Sequence, residues 1–155
     1  MIAAVFDCMV LLQALTNALG ASGACLAFVE AGDVKLLMSA AILEETHDVL
    51  NRPNIRRSFP QLTDESTEDY IDHLLEIATI VNDVPLTHRL PQDPNDEPYL
   101  NLAVAAGASF IVTWDDDLLS LMNQAWFRTD YPSLSVVTPV TFLTHVRNGI
   151  EKKAG

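Results

Sequence analysis

The sequence predicts an α/β fold: a three-layer α/β/α sandwich around a central parallel sheet of about five strands, forming a single domain over residues 1–155. Three observations predict it. Short apolar runs alternate with longer segments of helical spacing along the whole chain. The apolar runs are continuous rather than alternating, as strands are when helices cover both faces of a sheet. No internal repeat, low-complexity tract or linker breaks the pattern.

Residues 2–6, "IAAVF", are a buried strand that ends at Asp7. "MVLLQALTNA" has helical spacing and stops at Gly20. "GACLAFVEAG" is a second helix, with Ser22 as its N-cap and Gly32 as its stop. "VKLLMS" is the second strand. Ser39 caps the helix "AAILEETHDVLN", which Pro53 terminates. Residues 54–61 form a turn or short helix. "DESTEDYIDHLLEIA" is a long amphipathic helix. "TIVNDV" is the third strand, and "PLTHRLPQDPNDEP" a Pro-rich loop long enough to suggest function. "YLNLAVAAG" is a helix, "SFIVT" the fourth strand, "DLLSLMNQA" a short helix, "WFRTDYPS" a loop and "LSVVT" the fifth strand. Thr138 and Pro139 open a last helix, "VTFLTHVRN".

Composition excludes several classes. With 49% hydrophobic residues the chain can build a sizeable core, yet it has no run of about 18 uncharged apolar residues, so no membrane span is expected. The N-terminus lacks a basic segment and carries Asp7 within its apolar run, which is a strand and not a signal peptide. Cys8 and Cys25 have no metal-ligand spacing and read as free buried thiols of a cytoplasmic protein. A net charge of −12 argues against gripping nucleic acid by charge alone. It leaves open an enzyme whose acidic site is neutralised by metal. The one dense basic run holds Arg52, Arg56 and Arg57.

The acids fall where an α/β sheet places its ligand site, beyond the carboxyl ends of the strands. Asp7 follows strand one, and Asp115 follows the core of strand four. Asp93, Asp96 and Glu97 lie where the helix feeding strand four begins. Glu44 and Glu45 lie in the first two turns of the helix after strand two. Singly, Asp93, Asp96 or Asp115 is as readily a helix cap, and Glu44 and Glu45 a solvated face. Asp7, between two apolar runs, needs a cationic partner. Four acids at such positions suit hard cations, Mg²⁺ or Mn²⁺, which prefer carboxylate and water oxygens.

The chain resembles the PIN-domain family over nearly its whole length, and most of all the bacterial PIN proteins of toxin–antitoxin pairs. The stretches that carry the resemblance are "VFDCMVLLQAL", "LMSAAILEETHDVLNRP", "DPNDEPYLNLAVAAGASFIVTWDDDLL" and "VVTPVTFL". The resemblance implies a flavodoxin-like parallel sheet and a metal-dependent ribonuclease. Carried over by position, Asp7, Glu45, Asp96 and Asp115 are its acidic site. Asp7, Asp96 and Asp115 would bind metal directly, and Glu45 would bind it or hold a water. Glu44, Asp93, Glu97, Thr113 and Asp117 are secondary candidates, with Asp116 facing solvent. Arg52, Arg56 and Arg57 would touch RNA phosphates. Further implications are an RNA substrate, an antitoxin partner and a homodimer, the last also suggested by "AWFRTDYPSL" and by Leu11, Leu12, Phe28 and Val29 as surplus apolar surface. Where the family usually has Asp-Thr-Asn or Asp-Ser-Asn, this chain has Asp7-Cys8-Met9, so a hydroxyl and an amide near the metal are missing. Trp114 stands where a small residue is common.

Other residues bear less weight. His47, His73, His88 and His145 are scattered, and only Glu44 and His47 share a helix face. Cys8 has no histidine partner and reads as core filler, not a nucleophile. Trp114 and Trp126 could stack bases, and core or dimer packing accounts for each at least as well. Two rival functions remain beside the ribonuclease. One is a catalytically weakened PIN-like binding module that acts as a protein partner. The other is a haloacid-dehalogenase-like phosphatase, which would need a second Asp where Met9 stands.

Overall fold

The computed structural model describes residues 1–86, 90 and 94–154, the last two of these by backbone only. In order, its elements are β1 (Ile2–Phe6), α1 (Cys8–Thr16), α2 (Ala21–Glu30), β2 (Val34–Met38), α3 (Ala40–Asn51), α4 (Pro53–Ser58), α5 (Asp64–Ile77), β3 (Thr79–Ile80), α6 (Glu97–Ala106), β4 (Phe110–Val112), α7 (Asp116–Leu119), α8 (Ala125–Asp130), β5 (Ser135–Val137) and α9 (Pro139–Ala154). Single 3₁₀ turns at Pro94–Asp96 and Ser120–Asn123 precede α6 and follow α7.

The five strands form one wholly parallel sheet in the order β3-β2-β1-β4-β5. This is the three-layer architecture the sequence predicts. The chain steps one way from β1 to β3, then returns across the sheet to β4. With the right-handed crossovers such units take, α1–α5 lie over one face and α6–α8 over the other. The reversal leaves a switch point between β1 and β4, and Asp7 is the first residue past β1 at that place. α9 packs on α2 and β4, where Phe142 meets the rings of Phe6 and Phe110 edge-on at 5.8 and 5.3 Å. The Tyr70 hydroxyl donates to the Leu11 carbonyl at 2.6 Å and ties α5 to α1.

Several local expectations are corrected. Gly20, not Ser22, is the N-cap of α2, and Ser22 lies buried in the first turn. Position 23 requires glycine because α2 presses on the preceding turn: a Cβ there would lie 2.1 Å from the Ala18 carbonyl oxygen. Pro53 ends α3 but also opens α4, since a proline loses nothing at a first helical position. The third strand is two residues long. It pairs only with β2, and Asp83, at φ 55°, soon turns the chain in the left-handed region. The expected loop over 126–133 is partly helix α8, where Phe127 is fully buried and its ring lies 5.6 Å from that of Tyr131, one turn on. α9 runs beyond the expected stop at Asn148 and through Gly149.

Among the described residues no single helix is long and apolar enough to cross a membrane. The apolar pair α1 and α2 is bent by 94° and packs against α3 and α9. The residues expected to leave surplus apolar surface are largely spent at home: Leu11, Leu12, Val29, Phe127 and Leu134 are buried, and Phe28 is half-buried.

Candidate active site

Four elements bring acids to one cleft of about 470 Å³ at the switch point. Asp7, Glu45, Asp96 and Asp115 all line it, with Arg52, Asn95, Tyr99, Trp114 and Gln13 among their neighbours. A larger hollow of about 670 Å³ lies at the opposite, amino end of the sheet, where Asp33 is the only acid among the described lining residues. The chemistry-bearing groups are at the smaller one.

Asp7 is 7% exposed and acts as the N-cap of α1. Its Oδ1 accepts from the Met9 amide at 2.7 Å, and its Oδ2 accepts from the Thr113 hydroxyl at 2.6 Å. Thr113 is fully buried, and its Oγ1 in turn accepts from the Asp115 amide at 2.9 Å. One threonine thus joins the ends of β1 and β4. Asp115 accepts from the Asp117 amide at 2.9 Å and caps α7. Burial pushes the Asp7 carboxyl above its usual range, and the nearby Asp115 charge adds to this. The bonds from Thr113 and Met9 pull the other way and do not win.

Glu45 and not Glu44 faces the cleft. Glu44 lies beside a different hollow with His47. Glu45 Oε2 accepts from the Tyr99 hydroxyl at 2.9 Å, and its Oε1 lies 3.4 Å from the Cys8 thiol. The same Tyr99 oxygen accepts from the Cys8 amide at 3.2 Å. Tyr99 is therefore a brace between α1, α3 and α6. Sequence reasoning missed it, although it stands one turn after Asp96 on the same helix and so on the same face. Burial pushes the Cys8 thiol up to about 12, which leaves it protonated and inert, a small filler beside Glu45. Cys25 is likewise free, buried and pushed up to about 12.

Asp96 is buried at the start of α6, and its side chain does not cap that helix. Glu97 points elsewhere and accepts from the Leu90 amide at 2.8 Å. Asp93 and His88 lie outside the described residues. Asp116 and Asp117 are exposed in the first turn of α7, where negative charge is favoured. Asp117 serves Asp115 through its backbone rather than its carboxylate. Of the arginines, Arg52 lines the cleft and Arg57 is exposed. Arg56 donates to the Leu50 carbonyl, Asn51, Asp64 and Thr67, holding α3, α4 and α5 together. His47 and His73 bond to Glu68 and Glu30, each at 2.7 Å. Trp114 is 39% exposed in the cleft, and Trp126 lies outside it.

All the acids here are hard oxygen donors, the kind that suits Mg²⁺ or Mn²⁺. Among the described residues no three His, Cys, Asp or Glu side chains are grouped so as to hold an ion by themselves. No curated protein matches the chain. The sequence pattern of the PIN domain matches residues 3–117, a stretch that includes every acid lining the cleft. PIN domains are generally nucleases and typically depend on divalent metal. By that match over most of its length, the chain belongs to the PIN-domain family.

Proposed function

We propose that this protein is a metal-dependent endoribonuclease of PIN type. The observation that carries the reading is the meeting of Asp7, Glu45, Asp96 and Asp115, from four separate elements, on one cleft at the sheet's switch point. Mg²⁺ commonly takes one or two carboxylates, several waters and a substrate phosphate, and that mode fits Asp7 and Asp115 joined through Thr113. Asp96 would bind it beside them, and Glu45 would bind it or hold one of its waters. Among the described residues no cage made wholly of protein ligands is formed. When bound, the ion would activate water and stabilise the charge of a phosphoryl transition state. Arg52 is the cation among the cleft's described residues and would hold a phosphate of the substrate. Tyr99 keeps Glu45 oriented toward the same space. Narrower proposals go with this reading: an RNA substrate, the role of toxin with an antitoxin partner, a cytoplasmic setting and a homodimer.

A second reading has its own support. Both Glu45 oxygens are engaged inside the protein, and Cys8 and Met9 bring no polar side chain to the first acid. These features favour a binding module with weakened chemistry. Cleavage of single-stranded RNA with Mn²⁺ or Mg²⁺, against an EDTA control, separates the two. Asp115→Asn, purified identically and folded by circular dichroism, should lose cleavage. A variant as active as wild type makes the activity a contaminant's. No cleavage by either, with Mn²⁺ still raising the melting temperature of wild type, puts the binding module first.

A further inference from the structure

Trp114 and Gln13 line the cleft beside the acids, and Ser22 links them. The Trp114 Nε1–H donates to Ser22 Oγ at 3.2 Å, and Ser22 Oγ donates to Gln13 Oε1 at 2.8 Å. The direction of this chain is dictated by chemistry. An indole N–H can only donate, so Ser22 must accept from it. Ser22 is 3% exposed, and its own proton needs an acceptor, which the Gln13 amide oxygen supplies. That orients the amide: Oε1 faces Ser22, and the two Nε2 protons have no protein partner among the described residues. Trp114 meanwhile is pinned by its nitrogen with 39% of its surface open.

We propose that Trp114 and Gln13 form a base-recognition subsite for the substrate, in which a nucleobase stacks on the indole and presents hydrogen-bond acceptors to the Gln13 amide. The assignment rests on reading the cleft as a nucleic-acid site. Aromatic faces hold bases of any identity by stacking. A group that offers donors alone discriminates. Guanine presents N7 and O6 as neighbouring acceptors, whereas adenine sets an N6 donor beside N7. The two purines stack alike, so the subsite should prefer guanine through Gln13 and hold both through Trp114.

The test uses guanosine and adenosine 5′-monophosphate with Mg²⁺ present. Binding is read by quenching of Trp114 emission in a Trp126→Phe background, and by calorimetry for the variants. The guanine nucleotide should bind roughly fivefold or more tightly than the adenine one. Gln13→Met should erase that difference. Trp114→Leu should weaken both nucleotides about tenfold, while Trp114→Phe, which keeps a ring but loses the indole N–H, should stay close to wild type. Equal weakening by Phe and Leu would assign Trp114 a purely structural tie to Ser22 and overturn the subsite. So would a guanine preference that survives Gln13→Met, or the absence of Trp114-dependent binding. RNA cleavage measured in parallel separates this from the nuclease reading. Intact cleavage without nucleotide binding removes the subsite alone, and Trp114-dependent binding without cleavage keeps the subsite while the nuclease reading falls.

Discussion

Asp7 carries the tension of the cleft. It is buried, its carboxyl is raised above the ordinary value of 3.8 chiefly by that burial, and two hydrogen bonds from Met9 and Thr113 only partly offset the cost. A raised carboxyl means that the native state holds the proton more tightly than the unfolded chain does. Stability contributed here therefore falls as pH rises from 3.8 through the raised value, and the full penalty remains at neutral pH. Asp7→Asn removes the penalty and can still accept from the Met9 amide. In metal-free buffer at pH 7 it should melt at or above the wild-type temperature, and that advantage should vanish below pH 3.8. Mn²⁺ should raise the wild-type melting temperature more than the variant's, because binding stabilises only the state that binds. Equal gains would exclude Asp7 as a ligand. Asp7 stood out in the sequence as a carboxylate between two apolar runs, although the structure gives it a helix-capping role and its bonds come from an amide and a hydroxyl rather than from the expected cation. Thr113 was legible only through the family resemblance, since a buried threonine after a strand is otherwise unremarkable.

At the scale of elements, the brace made by α6 is testable. Tyr99 is 2% exposed, accepts from the Cys8 amide on α1 and donates to Glu45 on α3. Tyr99→Phe keeps the ring and strands a buried amide proton, a loss on the order of 1–3 kcal/mol. The urea midpoint should fall with the slope unchanged. An unchanged midpoint would mean that water replaces the hydroxyl and that the brace contributes nothing. Such cross-element bonds are what a sequence hides: Cys8 and Tyr99 are 91 positions apart, and no local periodicity links them. Periodicity did reveal the long helices and the central strands, where burial sets the pattern. It failed at the edges. β3 is cut short by the turn at Asp83, and α8 is held by a buried Phe127 in a segment whose Pro, Ser and Thr residues read as loop. The role of Arg56 is hidden in the same way: its bonds join three helices, which no basic run announces.

Over the whole molecule, 21 acidic residues face 9 basic ones, so the net charge of −12 repels a polyanion at long range. Arg52 in the cleft is a local exception. Of the apolar surface on which the pairing expectation stood, Trp126 stays exposed, while Leu11, Leu12, Val29, Phe127 and Leu134 lie in the core. A homodimer would draw on what stays exposed, and light scattering against the 17.0 kDa of one chain measures it directly. The charge has a sharper consequence. Ordinary nucleic-acid binders neutralise phosphates with basic tracks and lose affinity steeply as salt rises. Here the dominant long-range term is repulsion, and salt screens it: the Debye length falls from about 30 Å at 0.01 M to about 10 Å at 0.1 M. At fixed, saturating Mg²⁺, kcat/KM for RNA cleavage should therefore rise or hold level as NaCl goes from about 0.01 to about 0.1 M. The proposed short-range grip of the cleft, Arg52 and an ion held by the acids, would lie within either screening length and change little. A steep fall over that range would mean that RNA approaches along a basic surface that dominates the molecule's negative field, with Arg57 and the end of α9 the first places to look for it.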